Sequence, residues 1–249
     1  MTKKLYSREE FSALLDKNAE LMATNIELRQ RALDLKVQAG HDYYWVHQTS
    51  WLGEPCLQLA QDMFAIQEAI VAAKPDYVVE IGVAWGGSTL FISSILEVLG
   101  LKGVIGVDIF IPDDLRARIE RKKPNNVSID LIEGSSVDDS TFRKVTDIVN
   151  GKSALVILDS MHTHDHVLRE LQLYSTIVPV GSFLVVGDTI IEEQPPANDR
   201  PRPWGLGNNP ATALREFLTE TDAFEVDKKI ENKLLLSNMP NGYLRRVRP

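Results

Sequence analysis

Apolar positions along this chain follow two different rules. Near the start, Phe11, Leu15, Met22, Ile26 and Leu33 recur at intervals of 4, 7, 4 and 7, a helical stripe on an otherwise polar segment. Ser7 followed by Glu10 reads as a capping box that opens this helix, with Tyr6 stapled onto Phe11. Such a helix either covers its own domain or pairs with a neighbouring subunit, and the second use implies a homo-oligomer. From Asp76 onward the pattern changes to short β-branched runs at Tyr77–Ile81, 104–109, 128–132, Ala154–Leu158 and Phe183–Val186, separated by lengths that suit crossover helices. The alternation predicts an α/β fold built on a doubly wound, mostly parallel sheet. A helix from Pro210 to about Leu218, runs at 224–230 and 234–237, and an Asn241-Gly242 turn into 244–247 predict an antiparallel C-terminal strand pair. Two stretches escape both rules. Residues 41–47 (His-Asp-Tyr-Tyr-Trp-Val-His) are aromatic without a period and form either a lid or a core patch, and residues 192–209 are rich in Pro, Gly and Asn, as in a functional loop.

Composition narrows the partners. A chain of 249 residues with 44% hydrophobic content can bury a substantial core, and no linker divides it beyond an N-terminal helical extension at 1–40 ahead of one domain at 41–249. The net charge of −8 argues against nucleic acid or an anionic membrane held by bulk electrostatics, leaving a small molecule or glycan as partner. Cys56 is the sole cysteine and reads as a packed thiol. No apolar run approaches the roughly 18 residues of a membrane span, so the expectation is a cytoplasmic protein.

The candidate chemistry gathers at strand ends, where open α/β sheets bind ligands. Glu80-Ile-Gly82-Val-Ala84-Trp85-Gly-Gly-Ser88 turns the first main strand into a glycine-rich bend and then a helix. Its spacing departs from the Gly-x-Gly-x-x-Gly that a pyrophosphate requires, and suits S-adenosylmethionine better. A plain strand–turn–helix joint is the structural alternative. All five strand ends carry a carboxylate: Glu80, Asp108, Glu133, Asp159 and Asp188. Asp108 is placed to accept from ribose hydroxyls, and Gly134-Ser135-Ser136 to border an adenine. Glu80, Gly82, Ala84, Trp85, Ser88, Asp108, Gly134, Ser135, Ser136 and Asp159 make up the expected cofactor set. Asp159 and Asp188, if on adjacent strands, repel unless a cation intervenes, and oxygen ligation of that kind suits Mg²⁺. His162, His164 and His166 follow closely; zinc binding by alternating histidines and a helix start with surface histidines are both open readings. Trp204, Asn208 and Asn209 are candidate sugar contacts, with turn chemistry as their bland alternative.

These motifs, together with Leu131–Ser136, Leu158–Val167, Arg202–Pro210 and Gly242–Val247, resemble the cephalosporin hydroxylase and rhamnosyl O-methyltransferase family, relatives of the metal-dependent macrolide-sugar O-methyltransferases, over roughly Tyr44 to Val247. The resemblance implies a class I methyltransferase, Rossmann-like fold, S-adenosylmethionine as donor, Mg²⁺ at the acidic strand ends, and a histidine base in Asp-x-x-His, here Asp159 to His162. His162 and Asp159 are thus the expected catalytic pair and Asp159 with Asp188 the expected metal ligands. Two positions depart from the family pattern. Gly187 stands where an acid often precedes Asp188, leaving Glu192 or Glu193 to compensate, and Trp85 stands where Arg is common, facing either the cofactor or another subunit. The implied reaction is methylation of a sugar hydroxyl; a metal-dependent hydroxylase or oxidoreductase on the same fold and a non-catalytic accessory subunit are the competing readings.

Overall fold

The computed structural model of the chain describes residues 6–195 and 201–249. The first five residues of the expected N-terminal extension, and 196–200 within the expected long loop, lie outside these.

Ser7 accepts from the Glu10 backbone N–H at 3.1 Å while Glu10 returns a bond to the Ser7 N–H at 2.9 Å, so the capping box forms and α1 runs Arg8–Ala23. The Tyr6 and Phe11 rings lie 6.4 Å apart. The single striped helix of the sequence reading is in fact two. Asn25 caps a new helix, α2 (Ile26–Tyr43), by accepting from the Leu28 N–H at 3.0 Å, and the apolar stripe is cut there. Phe11, Leu15 and Ile26 are exposed, α1 buries nothing, and α2 instead turns Ala32 and Lys36 inward. The boundary expected between residues 40 and 41 falls inside α2.

A 3₁₀ turn at Trp45–Gln48 then leads into a hairpin of β1 (Ser50–Trp51) and β2 (Glu54–Pro55). Its two turn residues, Leu52 and Gly53, both have positive φ, and leucine there hides the usual hairpin signature. Glu54 is pinned to Arg118 at 3.1 Å and Lys122 at 2.6 Å, which fixes the hairpin across the domain. The segment after it feeds α3 (Ala60–Ala73).

The main sheet follows as β3 (Tyr77–Ile81), α4 (Gly87–Leu99), β4 (Gly103–Asp108), α5 (Asp113–Lys122), β5 (Ser128–Glu133), α6 (Asp139–Val149), β6 (Ala154–Leu158), α7 (His164–Tyr174), β7 (Phe183–Val186), α8 (Pro210–Glu220), β8 (Phe224–Val226), α9 (Lys228–Glu231) and β9 (Tyr243–Arg246). Strand order is β5-β4-β3-β6-β7-β9-β8, with β9 antiparallel to both neighbours and the pairs from β5 to β7 parallel. The sheet therefore carries apolar cores on both faces, one including Val79, Ile81 and Val156, the other Val78, Leu155 and Ile157. Chain direction across the sheet reverses between β3 and β6, which opens a crevice at their carboxyl ends. No described helix is long and apolar enough to cross a membrane.

Two C-terminal expectations give way. The run at 224–230 stops as a strand at Val226, because Asp227 accepts from the Ile230 N–H at 3.0 Å and starts α9. The run at 234–237 is not a strand: the Leu234 N–H goes to the Glu231 carbonyl at 3.1 Å, the Leu236 N–H to Gln61 of α3 at 2.8 Å, and the N–H of the following Asn238 to Asp62 at 2.7 Å. Asn241 does turn the chain, with positive φ, but β9 finds its partners at long range in β7 and β8.

Two buried side chains, Asn209 and Glu80, test this packing. Asn209 has no exposed surface, and its side chain accepts from the Ala211 and Thr212 N–H groups at 2.9 and 3.2 Å to cap α8. Asn209→Ala should cost about 1–2 kcal/mol, read as a lower melting temperature. Glu80 is buried, 3% exposed, and burial raises its carboxyl from 4.5 to about 7 against hydrogen bonds from Ser88 and Thr89. Between those pH values the folded state holds a proton that the unfolded chain has released, so this residue's contribution to stability falls as pH rises. Denaturant titrations should show Glu80→Gln gaining on the wild type steadily from pH 4.5 to 7; a difference that does not vary with pH would contradict the burial argument.

Candidate active site

A cavity of about 870 Å³ occupies the crevice at the carboxyl ends of β3, β4, β5, β6 and β7. One wall is the bend after β3. Gly82 has φ +99° and a Cβ there would lie 2.1 Å from the Asp159 carbonyl, so only glycine lets this bend press against the end of β6. Ala84 also sits at positive φ. Asp108 holds the bend in shape: its Oδ2 accepts from the Val83 and Ala84 N–H groups at 2.9 and 3.0 Å, and Oδ1 from the Phe110 N–H at 3.2 Å. A carboxylate has lone pairs beyond these three, and Asp108 still lines the cavity with Gly82, Ala84, Trp85 and Ser88.

The next wall holds Gly134, Ser135 and Ser136. Beneath them Glu170, with no exposed surface, accepts from Ser136 Oγ at 2.5 Å and Ser160 Oγ at 2.6 Å, and His166 Nε2 lies 3.1 Å away.

The acidic end is formed by β6 and β7. Asp159, His162 and Asp188 each offer one ligand atom, all within 4.8 Å of one another, the only such trio among the described residues. His162 Nε2 lies 3.3 Å from Asp188 Oδ2, and its ring meets Trp204 edge-on at 4.8 Å. Desolvation lifts the Asp159 carboxyl well above the ordinary carboxylate range, and the Asp188 charge adds to it. Gln58 donates from Nε2 to Asp159 Oδ2, while its own buried Oε1 has no partner. Two crowded carboxylates and an orphaned amide oxygen are a donor set that fits a hard divalent cation such as Mg²⁺. A Cβ on Gly187 would fall 2.4 Å from Asp159 Oδ1, so an acid at this position, which the resemblance leads one to expect, cannot enter without displacing that carboxylate. Glu192 does not take its place, being held by the Gly207 N–H at 2.9 Å, Asn209 and Arg215.

Several residues singled out from sequence stand elsewhere. Glu80 does not line the cavity; strand alternation turns it to the other side, beneath Thr89. Glu133 likewise stays outside, accepting from the Ile111 N–H at 2.9 Å. Asn209 caps α8, and Asn208 accepts from the His164 N–H at 2.8 Å and donates to the Pro203 carbonyl at 3.0 Å, so neither reaches the cavity, whereas Trp204 does. The histidines do not converge on one metal: His164 ties α7 to α8 through Thr212 at 2.8 Å and Glu216 at 3.2 Å, and His166 turns to Glu170. The aromatic stretch after α2 lines the rim with Tyr44, Val46 and His47. Gln58 and Lys36 were missed, since neither sits in a motif; only the folded chain brings them here. Cys56 is a packed thiol, 1% exposed and pushed up to about 11 by burial.

Comparison with known proteins agrees with this architecture. Residues 43–247 match the family model described as rhamnosyl O-methyltransferase/CmcI. A rhamnosyl O-methyltransferase of Mycobacterium leprae is 29% identical over 221 residues, 86% of this chain and 92% of that one. One of Mycobacterium tuberculosis is 27% identical over 226 residues, 88% of each. Among solved structures, an apo form of CmcI superposes with a TM-score of 0.58 at 18% identity, covering 82% of this chain and 78% of CmcI, and CmcI with Mg and SAM superposes at 0.55, covering 81% and 77% at 18% identity. At those identities the likeness speaks for the fold, a class I methyltransferase fold, while the family match spans most of the sequence. The chain belongs to the rhamnosyl O-methyltransferase/CmcI family.

Proposed function

We propose that this protein is an S-adenosylmethionine-dependent, Mg²⁺-dependent O-methyltransferase acting on a hydroxyl of a sugar. The observation that carries the reading is the meeting of Asp159, His162 and Asp188 at one end of a cavity that runs past the glycine bend to Asp108 and to Gly134, Ser135 and Ser136. The names of the mycobacterial relatives support the sugar acceptor, and CmcI with Mg and SAM, on the same fold, supports the donor and the ion.

When bound, S-adenosylmethionine supplies an electrophilic methyl group and Mg²⁺ supplies positive charge for a developing alkoxide. Asp159 and Asp188 would hold the ion, which also relieves their mutual repulsion. His162 is the base: imidazole suits proton transfer near neutral pH, and Mg²⁺ prefers oxygen ligands, leaving Nε2 for the acceptor hydroxyl. Asp188, 3.3 Å away, steadies the imidazolium that results. Trp204 packs edge-on against His162 and is itself covered by Arg202, 4.9 Å from its ring centroid, so the loop fixes the base in orientation and shields it from water.

His162→Ala and Asp159→Asn should each lower turnover by at least about 10²-fold and leave S-adenosylmethionine affinity nearly unchanged, read by transfer of a labelled methyl group and by calorimetry. Turnover retained in either variant removes that residue from the mechanism, and oxygen consumption without methyl transfer would favour a hydroxylase. Gly187→Ala crowds Asp159 Oδ1 and should weaken Mg²⁺ binding about ten- to a hundredfold; unchanged titration of the ion by calorimetry would show that this carboxylate is not a ligand.

A further inference from the structure

Lys36 is the one charged side chain that α2 buries, at 3% exposure. Ala32, one turn before it, is buried as well, and Gly40, one turn after it, lines the cavity with open space beside it. The lysine side chain lines both the 870 Å³ cavity and a second one of about 330 Å³ behind it. Among the described residues the ammonium makes no hydrogen bond and no ion pair within 4.0 Å.

The ammonium keeps a little accessible surface, since it is not among the fully enclosed polar atoms that lack a partner, and proteins seldom hold a nearly buried cation without a contact partner unless it has a use. The three carboxylates whose charge it feels, Asp188, Asp62 and Glu193, are not its direct partners. Asp62 accepts from Ser237 Oγ and the Asn238 N–H at 2.5 and 2.7 Å, Asp188 faces His162, and Glu193 lines the second cavity. Desolvation draws the amine down to about 8, which leaves it mostly protonated at neutral pH. With Asp188 engaged by a metal, that amine would be more isolated still, unless an anion came in with the ligand.

We propose that Lys36 is the carboxylate-binding residue of the cavity, its ammonium receiving a carboxylate of the bound ligand. The chemistry has two sources, the methionyl carboxylate of the methyl donor and a carboxylate on an acidic sugar acceptor. The inference rests on the methyltransferase reading above, and its test separates the two.

Calorimetry on the full chain would compare the wild type with Lys36→Met, which keeps the length of the stem and drops the charge. The probes are S-adenosylhomocysteine, 5′-methylthioadenosine as the nucleoside lacking the amino acid, and glucuronate beside glucose. Loss of a charged hydrogen bond should weaken S-adenosylhomocysteine about ten- to a hundredfold with 5′-methylthioadenosine unchanged, if the donor supplies the carboxylate. If the acceptor supplies it, S-adenosylhomocysteine is unchanged and a preference for glucuronate over glucose present in the wild type disappears. Equal affinities of both proteins for every probe would overturn the assignment. Failure of the wild type to bind S-adenosylhomocysteine would sink the methyltransferase reading, leaving the glucuronate comparison to decide Lys36. Removing a buried unpaired charge should not lower the melting temperature, and Lys36→Gln provides the same comparison should the methionine variant fail to fold.

Discussion

Asp159 and Asp188 end two neighbouring parallel strands and are held within reach of one ligand, against their own repulsion. The backbone enforces this: β6 and β7 pair through Leu158 and Val186, so the residues that follow emerge side by side. The Gly187 N–H is committed to the Leu158 carbonyl at 2.7 Å and the Asp159 N–H to the Ile81 carbonyl at 2.8 Å. Neither acid can retreat without breaking sheet hydrogen bonds. The strain appears in the carboxyl of Asp159, held far above its ordinary range, and it is the kind of strain a divalent cation relieves.

Close packing around those carboxylates governs which residues are tolerated. Gly82 and Gly187 both exist for want of room beside Asp159, one against its carbonyl and one against its carboxylate. The missing acid at position 187 is therefore compatible with a working site of different construction, in which Gln58 brings an amide to the same carboxylate from a loop 101 residues away. Buried polar networks flank it: Glu170 gathers Ser136 and Ser160 on one side, Asp62 gathers Ser237 and Asn238 on the other. Each fixes a loop that would otherwise have only its own backbone to hold it.

The helices ahead of the sheet divide their labour. α1 adds length without burying a residue, whereas α2 lines the cavity with Lys36, Val37, Gly40 and His41. Part of the wall nearest the acids is consequently built from chain that precedes the glycine bend, including the segment after the hairpin, which brings Gln58 to Asp159.

Local rules were enough to read the five parallel strands, the Ser7 capping box, the glycine bend and the acids Asp159 and Asp188 at adjacent strand ends, because each depends on neighbours within a few residues or on the regular crossing of a parallel sheet; the family resemblance, not the local pattern, added His162. They failed where a partner lies far along the chain. The apolar stripe from Phe11 to Leu33 could not show that Asn25 would break it, and the leucines at 234–236 could not show that Gln61 would claim the Leu236 N–H and Asp62 the Asn238 N–H that follows. Glu80, Asn208 and Asn209 had the right chemistry for a ligand but were already spent on Thr89, His164 and the start of α8. Sequence alone determined what the strand ends carry; tertiary structure decided which of those groups face the cavity, since side-chain direction and prior hydrogen bonding are settled only when the sheet and its covering helices close.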